Sequence, residues 1–155
     1  MTAARNDRSV SASEVLIFRL GGEYFALDLA CAEEVLELPA LERLPHASAA
    51  MLGVAALRDG LLPVYTPEPA LRVARAKARG VLVVVRSGER RVGLAVDDVE
   101  DVMTIEPSMV RRPPVSGTGG AVLRGIARRG SDLVGILDAD ALVSACASAA
   151  CTEAS

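Results

Sequence analysis

The chain has 155 residues, a formal net charge of −3 at pH 7 and a sequence pI near 5.2. Hydrophobic residues make up 51% of it, which excludes a mostly disordered chain, and the acidic balance argues against general nucleic-acid binding. The longest strongly apolar run, from Val81 to Val85, is far too short to span a bilayer, so we expect no direct membrane insertion.

Four β-hairpins are predicted, each from two short apolar runs that flank a turn dipeptide. The first joins the runs at 15–20 and 23–29 through Gly21-Gly22, where glycine allows a positive φ at both turn positions. The other three turns are predicted at Asp59-Gly60, Gly88-Glu89 and Gly130-Ser131. Turn signals recur about every 8–12 residues, which favours an all-β barrel or sandwich.

The two ends of the chain differ from the segment between them. Residues 1–13 are polar and small and predict a disordered tail, and residues 146–155 are low in complexity and predict a second tail. The ordered domain is therefore expected across 14–145. Three short helices are expected: near 46–52, across 67–78 and from about Ala139.

Cysteine usage and the N-terminal sequence bear on the compartment. The three cysteines, an odd number, argue against a disulfide framework. The first 13 residues lack the apolar segment of a secretory signal. We therefore expect a reduced cytoplasmic protein with inert thiols.

An internal repeat links the two halves of the chain. The segment 25–36 resembles the segment 92–103, including an acidic pair before Val35 and Val102. Gly53-Val54-Ala55 is similar to Gly125-Ile126-Ala127, and a second matching apolar run follows each. The matched pieces keep the same order at similar offsets, which predicts two related β units. Chance similarity between short β-hairpins is the alternative.

The sequence offers little support for catalysis. His46 is the only histidine, so no second imidazole could complete a metal site. The glycine-rich run from Ser116 to Gly120 lacks the lysine of a phosphate-binding loop. We interpret the acidic run from Asp97 to Asp101 as a solvated edge rather than a cation site. No catalytic, metal-binding or cofactor-binding residue is predicted, and no cofactor is expected.

Motifs along 14–145 resemble the CheW-like family, the adaptor proteins that couple chemoreceptors to the CheA histidine kinase. The hairpin from Phe18 to Asp28 and the segment from Ala32 to Val35 are similar to the family's opening elements. The stretch from Leu52 to Arg58, followed by Pro63-Val64, resembles the signature Gly-x-x-Asn-Leu-Arg-Gly with its later Pro-Val. Matches continue from Val92 to Val102 and from Leu123 to Leu142. Each motif is weak by itself, but their order and spacing are specific.

This resemblance implies a mostly β fold of two SH3-like five-stranded β-barrel subdomains around a shared groove. The subdomains are expected to interleave and to cover roughly 14–80 and 81–145, with few short helices. The implied activity is that of a non-enzymatic scaffold in the cytoplasm. Its implied partners are the regulatory domain of a CheA-type histidine kinase and the cytoplasmic tip of a methyl-accepting chemoreceptor, which would recruit it to membrane receptor arrays.

Glu34 and Arg58 occupy the family's matching Glu and Arg positions, so the resemblance implies that they bind the partner. Both also lie at the ends of apolar β segments, where ordinary surface charge is the alternative reading. The implied protein-binding residues are Glu34, Val35, Gly53, Val54, Leu57 and Arg58.

Two departures from the family pattern keep other functions open. In the first motif Ala56 and Asp59 stand where the family has Asn and Gly, and in the second motif Thr66 stands where the family has Asp. One alternative is a diverged member that binds only one partner or serves a non-standard chemosensory pathway. Another class is a small β-barrel that binds a metabolite or acts as an enzyme, for which paired carboxylates or a deep polar pocket would be the sign.

Overall fold

The computed structural model describes residues 13–45, 48–73, 80–112 and 122–148. The expected N-terminal tail up to residue 12, and residues 149–155 of the expected C-terminal tail, lie outside the described residues.

Ten β-strands and two α-helices form within the described ranges. The strands are β1 (Ser13–Leu20), β2 (Glu23–Asp28), β3 (Ala32–Glu37), β4 (Met51–Leu57), β5 (Gly60–Tyr65), β6 (Val81–Ser87), β7 (Arg90–Val96), β8 (Asp98–Ile105), β9 (Leu123–Arg129) and β10 (Asp132–Leu137). The helices are α1 (Glu68–Leu71) and α2 (Ala139–Ala147), and single 3-10 turns occur at Leu29–Cys31 and Pro107–Met109.

The strands form two five-stranded sheets. Sheet A has the order β8-β1-β2-β10-β9, and sheet B has the order β3-β6-β7-β5-β4. Neighbouring strands are antiparallel except in the parallel pairs β2–β10 and β5–β7. All four predicted hairpins are confirmed, and the mostly β fold class is confirmed with them.

The strand order confirms the internal repeat. If each of the strands β1–β5 is exchanged with the strand five places later in the chain, the order of sheet A becomes that of sheet B. Each repeat gives its first two strands to one sheet and its last three to the other. The strand pairing therefore differs from the expected division near residue 80: sheet B takes all of its strands from 32–96, and sheet A takes its strands from both sides of that segment.

Four strands are buried on both faces, which explains why their sequences are continuous apolar runs rather than alternating ones. One face of β1, β2, β6 and β7 fills a central core between the sheets, where Leu16 and Phe18 of β1 join Val83 and Val85 of β6. The other face of each strand fills a smaller core inside its own sheet. Helix α2 covers the central core with Leu142, Val143 and Cys146.

Two of the three expected helices differ from the structure. The helix expected near 46–52 is wrong at its end, because Met51 and Leu52 belong to β4 and Met51 pairs with Tyr65 of β5. Residues 46–47 lie outside the described residues. The helix expected across 67–78 ends at Leu71 because Arg72 adopts the left-handed conformation with φ 55° and ψ 43°; residues 74–79 are not described. Neither α1 nor α2 has the length and hydropathy needed to cross a membrane.

Helix α2 is confirmed at its start and extends into the segment that was expected to be a tail. Asp138 caps it, because the carboxylate accepts a hydrogen bond from the Ala141 N–H at 3.1 Å. At the other end Cys146 is completely buried, and burial raises the pKa of its thiol to about 12. Its carbonyl accepts a hydrogen bond of 2.9 Å from the Ser48 hydroxyl, so the tail prediction is wrong at residue 146.

The prediction that the acidic run from Asp97 to Asp101 is a solvated edge is wrong for Asp97, whose surface is only 7% exposed. Its carboxylate accepts a hydrogen bond from the Gly21 N–H at 3.0 Å, and its own N–H donates to the Arg19 carbonyl at 3.0 Å. Asp97 therefore joins the β1–β2 turn to the point where the chain passes from sheet B to sheet A. A buried carboxylate is tolerated here because the Gly21 N–H donates a hydrogen bond to it.

An isolated backbone bridge joins the chain beyond β3 to β4. Glu42 and Val54 exchange both backbone hydrogen bonds, at 2.8 and 2.9 Å. Gly53 permits this approach, because a Cβ at that position would lie 2.7 Å from the Glu42 carbonyl oxygen and because its φ is 155°. The equivalent bridge in sheet A joins Arg111 to Ile126, beside Gly125.

We expect Gly53→Ala to lower the free energy of unfolding by about 1–3 kcal/mol, because the new methyl group must displace the backbone at Glu42. For a chain of this size that corresponds to about 2–4 °C in Tm for each kcal/mol. Gly80→Ala is the matched control, since nothing lies within 4 Å of a Cβ there. Equal melting temperatures for the two variants in thermal unfolding would contradict the assignment.

Candidate functional site

A β-bulge at Glu33 sets the direction of the acidic side chains on β3. The register between β3 and β6 shifts between Ala32, which faces Val85, and Glu34, which faces Val84. Bulges re-aim side chains at sheet edges, and here the extra residue is the first of two adjacent glutamates. The two carboxylates therefore have different surroundings.

Glu33 is held by two arginines of the β6–β7 hairpin. Arg86 Nε donates to one carboxylate oxygen, and Arg91 Nε donates to the other at 2.8 Å. These hydrogen bonds, that of Arg91 first, hold the pKa of Glu33 below its usual value. Arg91 also reaches Asp59 in the β4–β5 turn, with 3.3 Å between Nη2 and Oδ2. We call Arg86, Glu33, Arg91 and Asp59 the charged network.

Glu34 and Arg58 line one surface cleft between β3 and the β4–β5 turn. The cleft has a volume of about 360 Å³. Its lining residues are Glu34, Leu36, Leu57, Arg58 and Asp59. Neither Glu34 nor Arg58 takes part in an ion pair or a side-chain hydrogen bond among the described residues, and both are exposed. We name this feature the docking cleft, and its lining combines charged side chains with two leucines.

Three of the six expected site residues therefore meet in the docking cleft, and three lie elsewhere. Val35 does not line the cleft, although 44% of its surface is exposed. Gly53 lines a second, smaller cleft of about 150 Å³ with the exposed Leu44. Val54 is half-buried and holds the backbone of Glu42.

Sequence reasoning missed the charged network, although one signal for it was present. Arg86 and Arg91 face each other across the β6–β7 hairpin. Like charges that are directly opposite on adjacent strands destabilise a sheet unless a counter-charge lies nearby. The repulsion between the two arginines therefore predicts an acid on a neighbouring strand, and Glu33 of β3 is that acid. The bulge that aims Glu33 has no sequence signal of its own.

The repeat provides an internal comparison for Glu34. In sheet A the bulge falls at Glu100, whose carboxylate lies 3.9 Å from Arg19, as Glu33 lies beside Arg86. The acid equivalent to Glu34 is Asp101, and Arg129 lies 3.9 Å from it and over the ring of Tyr24. Among the described residues, the second acid is thus paired within sheet A and has no ion-pair partner in sheet B. The two corners therefore differ in how their second acid is satisfied.

The two departures from the family pattern have local roles in the structure. Asp59 is bound by Arg91. Thr66 is buried, and its hydroxyl accepts a hydrogen bond of 3.3 Å from the Glu68 N–H at the start of α1, as an aspartate could. Within the described residues no group of three or more histidine, cysteine or acidic side chains is placed to hold a metal ion.

The family model described as CheW-like domain matches residues 14–147. Among curated proteins, the chain is 29% identical over 116 residues to the chemotaxis protein CheW of Rhizobium meliloti, covering 74% of this chain and 75% of that one. It is 28% identical over 139 residues to the chemotaxis protein CheW of Klebsiella aerogenes, covering 84% and 81%.

A solved structure gives a matching fold. The crystal structure of the scaffolding protein TtCheW from Thermoanaerobacter tengcongensis superposes with a TM-score of 0.77. The sequence identity is 22%, and the match covers 84% of this chain and 86% of that one.

The lowered pKa of Glu33 makes its contribution to stability depend on pH. A carboxyl whose folded pKa is depressed stabilises the fold above its unfolded pKa and loses that contribution as the pH falls through the folded value. We therefore expect Glu33→Gln to melt below the wild type at neutral pH, with the gap closing as the pH falls below about 4.5.

Glu34→Gln is the matched control, because its carboxylate has no ion-pair partner among the described residues. Its Tm should stay close to that of the wild type across the same range. A gap for Glu33→Gln that is constant from neutral to strongly acid solution in a thermal unfolding series would exclude this role.

Proposed function

Because the chain belongs to the CheW-like domain family, we propose that it is a non-enzymatic scaffold that couples chemoreceptors to a CheA-type histidine kinase. The family match over residues 14–147 supports this proposal, as do curated relatives that are named as chemotaxis proteins. The fold is shared with a protein described as a scaffolding protein. We place its activity in the cytoplasm, at receptor arrays that its partners assemble.

The observation that carries the proposal is the unpaired acid and base of the docking cleft. Arg58 offers a guanidinium with several donors, and Glu34 offers a carboxylate that only accepts. Leu36 and Leu57 line the same cleft, so a partner would cover apolar surface while it pairs with both charges. Charge-assisted hydrogen bonds that form beside apolar contacts fix the register of a protein interface.

The partners we propose are the regulatory domain of the kinase and the cytoplasmic tip of a methyl-accepting chemoreceptor. The docking cleft is an open surface feature on one sheet, and a protein surface can reach its charges without a change in the fold. A diverged member that has kept only one partner would use the same cleft. If the chain binds both partners, substitutions in the docking cleft can weaken binding of either one. If it is a diverged member, they weaken binding of the single partner that it has kept.

We expect Arg58→Ala and Glu34→Ala each to weaken binding of at least one partner by about 1–3 kcal/mol, or roughly 5–150-fold in Kd. The physical reason is that each truncation leaves a partner group buried without its counterpart. Calorimetric titration against a purified kinase regulatory domain and a receptor tip fragment measures both affinities.

Two substitutions of the same kind, a glutamate and an arginine to alanine outside the docking cleft, serve as controls. Glu37 lies on the same strand as Glu34, and Arg128 is exposed on sheet A, so the control variants are Glu37→Ala and Arg128→Ala. Both should bind within about twofold of the wild type, in line with small effects at unpaired surface charges. Unchanged affinity of Arg58→Ala and Glu34→Ala for both partners, with unchanged circular dichroism, would refute this site.

A further inference from the structure

We propose that Arg91 is a positioning residue for the docking cleft: by binding Glu33 and Asp59 together, it fixes the turn that presents Arg58 to the partner. This inference rests on the proposed function, since it concerns how Arg58 is held. It adds a residue on β7 that does not line the cleft.

The geometry is that of one guanidinium between two carboxylates. Arg91 Nε donates to Glu33 Oε1 at 2.8 Å, and its two terminal nitrogens lie 3.3 and 3.5 Å from the two oxygens of Asp59. The planar fork of arginine allows this double contact, which a single ammonium group cannot reproduce. Arg91 thereby connects β3 to the β4–β5 turn, the two walls of the docking cleft.

Arg58 depends on this contact through the chain itself. Asp59 is its direct neighbour in a tight turn between Leu57 and Gly60, which pair with each other. An exposed turn of this kind moves unless side chains hold it, and binding must then order it. Holding Asp59 restricts the backbone that carries Arg58, so less ordering remains when the partner arrives.

The equivalent turn in sheet A lacks the arrangement. Ser131 stands at the position of Asp59, and Tyr24 stands at the position of Arg91. The hairpin itself therefore does not need an arginine–aspartate contact to form. Within the part of the chain that the structure describes, this contact occurs only at the corner where Glu34 and Arg58 have no ion-pair partner, which ties it to the docking cleft rather than to formation of the hairpin.

Arg86 is a matched control within the charged network. It donates to the same Glu33 carboxylate, but no contact joins it to Asp59 among the described residues. Its side chain is 48% exposed, compared with 25% for Arg91. Removing Arg86 weakens the hold on Glu33 and leaves the link to the turn in place.

The test compares Arg91→Ala, Arg86→Ala and Arg58→Ala in calorimetric titrations against the kinase regulatory domain and the receptor tip fragment. We expect Arg91→Ala to raise the Kd of the partner that senses Arg58 by roughly 3–30-fold, a range seen for residues that act through a neighbour. Arg86→Ala should change it less than twofold. Arg91→Lys should recover only part of the loss, because one ammonium cannot hold both carboxylates.

A double variant separates positioning from other roles. In the Arg58→Ala background, Arg91→Ala should cause no further loss, since nothing remains to be positioned. Asp59→Asn is a second route to the same loss if Arg91→Ala proves too unstable to purify. A purely structural role would instead lower Tm and affinity in step, in both arginine variants.

The outcomes distinguish this inference from the proposed function. If Arg58→Ala weakens binding and Arg91→Ala does not, the positioning role is overturned and the docking cleft stands. An equal loss in Arg91→Ala and Arg86→Ala, or a loss that persists in the Arg58→Ala background, also overturns it. If Arg58→Ala binds as the wild type does, the positioning role fails, and if Glu34→Ala also binds as the wild type does, the docking cleft fails with it.

Discussion

The exchange of strands between the two repeats is the constraint on which the rest of the structure depends. Each sheet is completed by three strands from the other repeat, so neither half of the chain can bury its apolar runs alone. The exchange puts β1, β2, β6 and β7 in the interior, where both faces of each strand are covered. Asp97 lies where the chain crosses between the sheets, and its hydrogen bond to Gly21 joins two residues 76 positions apart.

The same exchange creates two equivalent corners, one on each sheet, with a bulged glutamate at each. The same corner geometry occurs twice in the fold, and the two corners differ in their side chains. On sheet A the second acid, Asp101, forms an ion pair with Arg129 of the same sheet. On sheet B the corresponding acid, Glu34, has no ion-pair partner among the described residues. Under the proposed function, this difference would let a partner distinguish the two corners.

Local chemistry made the hairpins and the repeat predictable, because turn dipeptides act over two or three residues and repeats preserve order. The parallel pairs β2–β10 and β5–β7 were not predictable in this way, since they join segments that are far apart in the chain. The helix predicted to include Met51 and Leu52 was wrong because pairing between β4 and β5 overrides local helix preference. The prediction that Asp97 is exposed was wrong because the N–H that binds its carboxylate comes from Gly21, in a turn that is distant in the sequence. The family resemblance indicated Glu34 and Arg58, whereas Arg91 carries no sequence signal for its contact with Asp59, because only the three-dimensional structure brings these two residues together.

The place of β10 and α2 after all the other described strands has a consequence for synthesis on the ribosome. Sheet B takes its strands from one continuous segment and can pair as soon as β7 has emerged. Strand β2, by contrast, pairs with β10, and the central core is covered by α2, which ends at Ala147. Strand β2 therefore keeps an open hydrogen-bonding edge until β10 has emerged. Nascent chains are most exposed to wrong strand pairing during that interval, so slow translation of the second half lengthens the period of risk.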